Sequence, residues 1–368
     1  MRILHCLRAP VGGLFRHVLD LAAEQARAGH DVGILADSNA EDRLTDAKFA
    51  AVSPLLKLGI VRTPMGRNPG IGDYQAYRAV LAHATDIECD VLHGHGAKGG
   101  AYARLAARTL KRQGKDVKAF YTPHGGSLHY KPGTPQAMAF LTLERILERF
   151  GTGLIFESAY AARVYSERVQ VPSAPYRIIP NGLQPDDFTL AVPDADATDV
   201  LYVGELRNIK GVEYLIDALA ALNKTQRVTA TIVGSGPIAG DLKSKVSALA
   251  LDHVITFTGA LPARQAFTRG RIMVVPSLAE SFPYIVLEVA AAGLPLISTS
   301  VGGIPEIVAG TDTELIPPGD AAAIERALRA ALTNSAAASA RAERLRANVQ
   351  NKFSLARMTR DVLDFYAC

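Results

Sequence analysis

Two carboxylates and a lysine are the residues of this chain best suited, by type and spacing, to bind a phosphorylated and hydroxylated ligand. Glu280 opens the segment Glu280-Ser281-Phe282-Pro283-Tyr284-Ile285-Val286-Leu287-Glu288, and Val301-Gly302-Gly303-Ile304-Pro305-Glu306 follows it. Glu288 stands among residues that are otherwise almost wholly apolar, and a carboxylate in such a helix needs a partner. Vicinal hydroxyls supply one, as in ribose recognition by dinucleotide folds. Lys210, in Gly204-Glu205-Leu206-Arg207-Asn208-Ile209-Lys210-Gly211, could neutralise a leaving diphosphate without a metal, with Arg207 beside it. Fixed cations and N–H dipoles set against developing negative charge usually make the largest contribution to catalysis. The plain alternative is a solvated lysine and two solvated carboxylates.

Histidines form a second group. His93 and His95 end an apolar run, and His124 lies in a Pro-His-Gly-Gly turn. A histidine in either place could orient a sugar hydroxyl or bind an acceptor. Three histidines on adjacent loops also invite a metal, but no Asp or Glu stands at ligand spacing, and no metal site is expected. Asp194-Ala195-Asp196 matches a metal-binding string, yet it precedes a strand and reads as an acidic linker. The pair Gly12-Gly13 would let backbone N–H groups approach an oxyanion at a helix start; a simple tight turn explains it equally well. A Gly-x-Gly-x-x-Gly fingerprint and a Walker lysine loop are both missing.

The elements that must position these residues alternate as short apolar runs and amphipathic helices, the pattern of parallel sheets. The run 271–277 leads into the Glu280 loop, a small-residue helix spans 284–292, Gly293-Leu294-Pro295 stops it, and 296–299 is the next strand. Both loops of this βαβ unit lie at strand C-termini, where open parallel sheets bind ligands. In the first half, 2–7, 32–36, 90–93, 118–122 and 153–157 read as strands. The stretch ending in 62–70 reads as a surface loop from its Pro and Gly content. The rhythm restarts near 177, with strands at 199–203, 229–233 and 254–257, then helices near 321–333, on to about 351, and from 354. The fold class is therefore α/β: two doubly wound domains in tandem, expected to face each other across a cleft. The expected boundaries are 1–172, with a C-terminal helix 354–368 added to it, and 173–353.

Composition agrees with two domains, since 368 residues, 48% of them apolar, exceed one ordinary core. Mean hydropathy is +0.11, but no run of about 18 apolar residues interrupts the pattern, and no membrane span is expected. The start, Met1 to Leu7, reads as a strand rather than a signal peptide. Cys6, Cys89 and Cys368 are too few and too scattered for a disulfide framework or a zinc site, which fits a reducing cytoplasm. Residues 1–180 carry 23 Lys and Arg against 16 Asp and Glu. That surplus suits phosphate groups, a lipid pyrophosphate or a membrane surface, and equally an ordinary solvated face. Nucleic acid is not expected, because no basic and aromatic residues interleave.

Taken in order, Gly12-Gly13 with His17, His95, Ile179-Pro180-Asn181-Gly182, Gly204 to Gly211, Gly234-Ser235-Gly236-Pro237 and Glu280 to Glu288 with Gly302-Gly303 and Glu306 resemble a family 4 retaining glycosyltransferase of the GT-B fold, with two Rossmann-like domains. The resemblance covers essentially the whole chain. It implies that the second domain binds a nucleotide sugar and the first an acceptor, a sugar or a lipid-linked saccharide. Catalysis then falls to His95, Lys210 and Glu280. The donor is held by Gly13, Arg207, Lys210, Gly234, Glu280 and Glu288, with backbone N–H groups near Phe282, Tyr284 and Ile285; Pro283 has none to offer. His17, Arg67 and His124 stand on the acceptor side. No cofactor and no metal are implied, the transfer retains configuration, and the C-terminal helix packs back on the first domain. The chain departs from the family pattern once: the usual Gly-Arg-Leu is Gly204-Glu205-Leu206, so a carboxylate replaces the customary diphosphate arginine, with Arg207 two residues on. An acidic group beside a diphosphate is unfavourable unless turned away or paired. The implied activity is sugar transfer in lipopolysaccharide or exopolysaccharide synthesis, in the cytoplasm and at the inner face of its membrane. A nucleotide-sugar 2-epimerase of the same fold, or a non-catalytic nucleotide-sugar-binding subunit, are the alternatives.

Overall fold

The computed structural model describes residues 1–39, 43–125 and 133–368. Gly126 to Tyr130, the far part of the turn that carries His124, lie outside the described residues. The chain divides into two compact units, Met1–Gly182 with Leu355–Cys368, and Leu183–Ser354.

The first unit alternates strand and helix. It runs β1 (Arg2–Leu7), α1 (Gly12–Arg27), β2 (Asp31–Asp37), α2 (Arg43–Val52), β3 (Ile60–Thr63), α3 (Ile71–Asp86) and β4 (Val91–His95). It continues with α4 (Gly96–Arg112), β5 (Lys118–Thr122), α5 (Pro135–Glu148), β6 (Gly153–Phe156), α6 (Ala159–Arg168) and β7 (Tyr176–Ile178). The second unit follows: β8 (Thr198–Val203), α7 (Val212–Leu222), β9 (Ala230–Val233), α8 (Ala239–Ala248), β10 (Ile255–Gly259), α9 (Ala263–Ala266) and β11 (Gly270–Val275). It ends with α10 (Tyr284–Ala291), β12 (Leu296–Thr299), α11 (Ile304–Val308), β13 (Leu315–Ile316), α12 (Ala321–Thr333) and α13 (Ser335–Lys352). The last helix, α14 (Leu355–Ala367), belongs to the first unit.

Each unit is built on one parallel sheet, ordered β3-β2-β1-β4-β5-β6-β7 in the first and β10-β9-β8-β11-β12-β13 in the second. Helices cover both faces, so central strands such as Ile3 to Leu7 and Met273 to Val275 read as nearly unbroken apolar runs. In both sheets the strand order reverses beside the first strand of the unit, at β1/β4 and at β8/β11. The loops leaving those strands are where a doubly wound sheet opens a ligand crevice.

Three features depart from the sequence reading. Ile60–Thr63, read as part of a loop, is the edge strand β3, paired with Ile34 to Asp37 of β2. Residues Leu315 and Ile316 form β13 beside β12. The segment 173–182 joins the first unit rather than the second, because β7 adds to β6 with Ile155 opposite Arg177. A strand this short has no independent stability and goes to the sheet edge that accepts its N–H and C=O groups. The string Asp194-Ala195-Asp196 is indeed a linker feature: Thr268 Oγ1 donates to Asp194 at 2.9 Å, and Arg269 lies 3.6 Å from it.

Helix α14 is amphipathic, and Leu355, Met358, Val362, Phe365 and Tyr366 bury one face against the core shared by α1 and β1. It returns to the first unit because five large apolar side chains have no other cover; each is worth roughly 1.5–3 kcal/mol when buried. Lys118 Nζ ties its end by donating to the Tyr366 carbonyl at 2.9 Å. The Tyr366 hydroxyl lies 2.5 Å from His93 Nδ1 in a fully buried setting. Tyr366→Phe keeps the ring and strands that imidazole nitrogen. The expected cost is about 1–3 kcal/mol, read as a lower urea midpoint with an unchanged slope.

Candidate functional site

In the second unit three loops converge at the β8/β11 reversal. The first leaves β8 as Gly204 to Gly211, the second leaves β11 as Pro276 to Pro283, and the third leaves β12 as Ser300 to Gly303. They interlock through the backbone: Leu278 N–H donates to the Ile209 carbonyl at 2.8 Å, and Gly303 N–H to the Ser281 carbonyl at 2.6 Å. Gly211 (φ +64°) and Gly302 (φ +60°) make this approach possible. A Cβ at either would stand 2.1 Å from a backbone oxygen, of Pro276 and Glu280 respectively.

These loops bring Lys210 and Glu280 together. Lys210 Nζ lies 2.6 Å from Glu280 Oε1, and Ser277 Oγ donates to the same oxygen at 2.7 Å. The Glu280 side chain is only 10% exposed and that of Lys210 26%, so the pair is largely withdrawn from water while one cationic face stays open. Ser277, 1% exposed and not foreseen as a site residue, holds the carboxylate from below. Helix α10 begins directly after this loop, with the positive end of its backbone dipole toward the loop. Phe282 and Tyr284 turn their rings into the core, Phe282 against Phe353 with ring centroids 5.6 Å apart. Only their main chains can therefore face a ligand, while Ile285 and Glu288 are half-buried on α10. Gly234 is committed as well, its N–H donating to the Gly259 carbonyl at 2.8 Å.

The carboxylate that replaces the expected arginine turns outward. Glu205 and Arg207 are exposed, with Glu205 Oε2 3.6 Å from Arg207 Nη1, a surface pair of small energetic weight. Leu206 between them points inward at 1% exposure. Lys210 is the cation held at Glu280.

In the first unit the corresponding β1/β4 reversal holds a cluster of five histidines. Gly12 and Gly13 are exposed at the start of α1, and Arg67 is exposed in its loop. His93 and His95, alternate residues of β4, share one face with ring centroids 4.0 Å apart. His95 is not presented in a loop, as the sequence reading placed it, but is the last residue of β4 and 1% exposed. Its Nε2 lies 2.9 Å from His5 Nδ1, and its Nδ1 lies 3.1 Å from His124 Nε2. His17, on α1, is also 1% exposed, with Nδ1 2.9 Å from Asn181 Oδ1. His124 adopts the left-handed backbone (φ +50°) and lies 2.5 Å from Glu157 Oε1 through its Nδ1. Burial drives His5 down to about 4 and His17 to about 3, and holds His93 and His95 well below the ordinary imidazole range. His5, Gln25, Asn181 and Glu157 were not foreseen as members of this group. Strand alternation placed His93 with His95, but nothing in the linear pattern signals what α1 and the β6 end bring to them.

The comparisons with known proteins agree with this geometry. Residues 11–187 match the family model Glycosyltransferase Family 4, and residues 197–334 match Glycosyl transferases group 1. A glycogen synthase of Mycobacterium tuberculosis is 28% identical over 93% of this chain and 88% of its own. Among solved structures, Anabaena HepE in complex with UDP-glucose superposes with a TM-score of 0.82 at 18% identity, covering 100% of this chain and 99% of that one. The sucrose-phosphate synthase of Thermosynechococcus elongatus gives 0.81 at 22%, covering 100% and 98%. Two parallel-sheet units of this topology are the GT-B fold of these neighbours. The chain belongs to glycosyltransferase family 4.

Proposed function

We propose that the protein transfers a sugar, with retention of configuration, from a nucleoside-diphosphate sugar to a hydroxyl acceptor in the synthesis of a cell-surface polysaccharide. The observation that carries this reading is the Lys210–Glu280 pair at the start of α10. It sets a cation, a carboxylate and helix amides side by side, the groups that a diphosphate and a sugar hydroxyl need. HepE has been solved with UDP and with UDP-glucose, and its overall likeness supports a nucleotide sugar as donor.

In the proposed step the bond from the anomeric carbon to the diphosphate oxygen breaks, and the nucleoside diphosphate leaves with the electron pair. The acceptor oxygen bonds to that carbon from the same face, and its proton passes to the departing phosphate oxygen. Lys210 and the α10 amides take up the charge, so the step requires no metal and no cofactor. Glu280 receives the donor sugar hydroxyls and Glu288 the ribose. Acceptor recognition is assigned to the first unit, around the exposed Gly12, Gly13 and Arg67. Its basic balance suits a lipid-linked pyrophosphate acceptor at the cytoplasmic membrane face. Among the described residues no helix is long and apolar enough to cross a membrane.

Incubation with a panel of sugar nucleotides and lipid-linked or free acceptors tests the reading. Glycosylated acceptor with free nucleoside diphosphate supports it; an epimerised nucleotide sugar, or binding without turnover, refutes transfer. Transfer only to a soluble metabolite removes the lipid-linked acceptor. Arg207 and Lys210 should separate in the same experiment. Because Arg207 is exposed and its contact with Glu205 lies at the surface, Arg207→Ala should weaken nucleoside-diphosphate binding by less than about threefold, against more than about tenfold for Lys210→Ala. Calorimetric titration measures both.

A further inference from the structure

The histidine cluster of the first unit has a polarity that the transfer reaction does not use. The Asn181 amide oxygen accepts from His17 Nδ1–H, and Asn181 Nδ2 reaches Glu157 Oε1 at 3.5 Å, which fixes the amide's orientation. The Glu157 carboxylate accepts from His124 Nδ1–H. His5 Nε2 lies 2.8 Å from the Gln25 amide oxygen, and His5 Nδ1 lies 2.9 Å from His95 Nε2. His17 and His124 thus each have Nδ1 committed outward as a donor to an oxygen, which leaves Nε2 of each for another partner, while His95 Nε2 is engaged with His5.

These three histidines come together at one place. His95 Nδ1 and His124 Nε2 are 3.1 Å apart, and one nitrogen from each of the three histidines lies within 4.8 Å of the others. His17 Nε2 is buried and has no hydrogen-bond partner among the described residues, a cost that a ligand would remove. Two imidazole nitrogens on one tetrahedral zinc ion, at bonds of 2.0–2.1 Å, stand roughly 3.3 Å apart. The His95–His124 spacing is already close to this.

We propose that His17, His95 and His124 form a three-histidine site for a divalent transition metal, of which zinc is the representative ion. Glu157, Asn181 and His5 play the part that carboxylates, amides and carbonyls play behind metal-bound histidines: they fix the tautomer and aim the ring. The alternative trio His5, His93 and His95 is not equivalent. Both His93 nitrogens are engaged with oxygens, Thr122 Oγ1 and the Tyr366 hydroxyl, so that ring has none left for a metal. The ion would tie α1 to the ends of β4 and β5. It is a different site from the Lys210–Glu280 pair, which lies in the second unit, and it gives His17 and His124 a role other than acceptor contact.

The full-length protein, stripped with chelator and returned to zinc, is the material for the test. Expected results are one zinc per chain after gel filtration and a zinc-dependent rise in Tm. Cobalt in place of zinc should give the visible bands of a tetrahedral nitrogen and oxygen site. His17→Gln and His124→Gln should each lower zinc affinity by tenfold or more, and Asn181→Ala by about tenfold, whereas the exposed His253→Ala should leave it unchanged. Zinc that fails to bind, or binds with the same affinity when both His17 and His124 are glutamine, overturns the proposal. If those variants do not fold, the cobalt spectrum of the unaltered chain decides alone: without tetrahedral bands the site does not exist.

Discussion

Lys210→Ala is expected to lower the rate of sugar transfer by about 10²–10³, the loss seen when one fixed electrostatic donor is removed from a developing anion. The fall should appear in kcat, because the charge on the departing diphosphate is larger in the transition state than in the bound donor. Glu280→Gln should lower transfer to a similar extent for a different reason. It keeps an acceptor for Ser277 Oγ, 2.7 Å away, but loses the carboxylate that pairs with Lys210 and that is proposed to receive a sugar hydroxyl. Product binding separates the two variants. Nucleoside-diphosphate affinity should fall in Lys210→Ala and stay within a fewfold of the parent in Glu280→Gln, since the carboxylate does not face phosphate. Near-normal transfer by both would remove the assignment. Circular dichroism should show both variants folded, because the pair lies on loops rather than in a core.

The largest effect on stability should come from a different ion pair. Arg104, on α4, is fully buried, and its Nη2 lies 2.8 Å from Glu144 Oε2 on α5. Tyr121 donates its hydroxyl to the other Glu144 oxygen at 3.0 Å, and the guanidinium stacks 4.0 Å from the Tyr121 ring centroid. Arg104 Nε also donates to the Gly100 carbonyl. Glu144→Ala leaves a buried guanidinium without its counter-charge, which costs about 3–5 kcal/mol, comparable with the whole stability of many domains. The first unit should therefore unfold at a much lower urea concentration, or fail to fold. Pairing Arg104→Met with Glu144→Leu should recover much of that loss, because replacing both charges removes the desolvation cost together with the attraction. A double variant no better than Glu144→Ala would show that the network's packing, not its charge, is what the fold requires.

The α/β class, the two-unit organisation and the βαβ unit around Glu280 were legible because they rest on local signals. Apolar runs of strand length, helices of period 3.6 and Gly-Pro stops are set by neighbours in the chain. Strands β3 and β13 were not legible. Ile60-Val61-Arg62-Thr63 mixes a charge into a short run beside Pro64, and only the open edge of β2 makes it a strand. The 173–182 segment went to the first unit for the same reason, an edge of β6 that no local pattern reveals.

The sequence by itself determined which residues stand at strand C-termini, and with them the placing of Lys210 and Glu280 in loops of the second unit and of Glu288 on the helix that follows. Only the tertiary structure decided what those residues touch. It joined Lys210 to Glu280 across 70 positions of chain, turned Glu205 outward onto Arg207, and moved His95 from a loop into a buried cluster with His5, His17 and His124. Side-chain partners of this kind are set by strand order and by how helices pack over the sheet. Those are long-range contacts, and residue type and spacing along the chain do not encode them one by one.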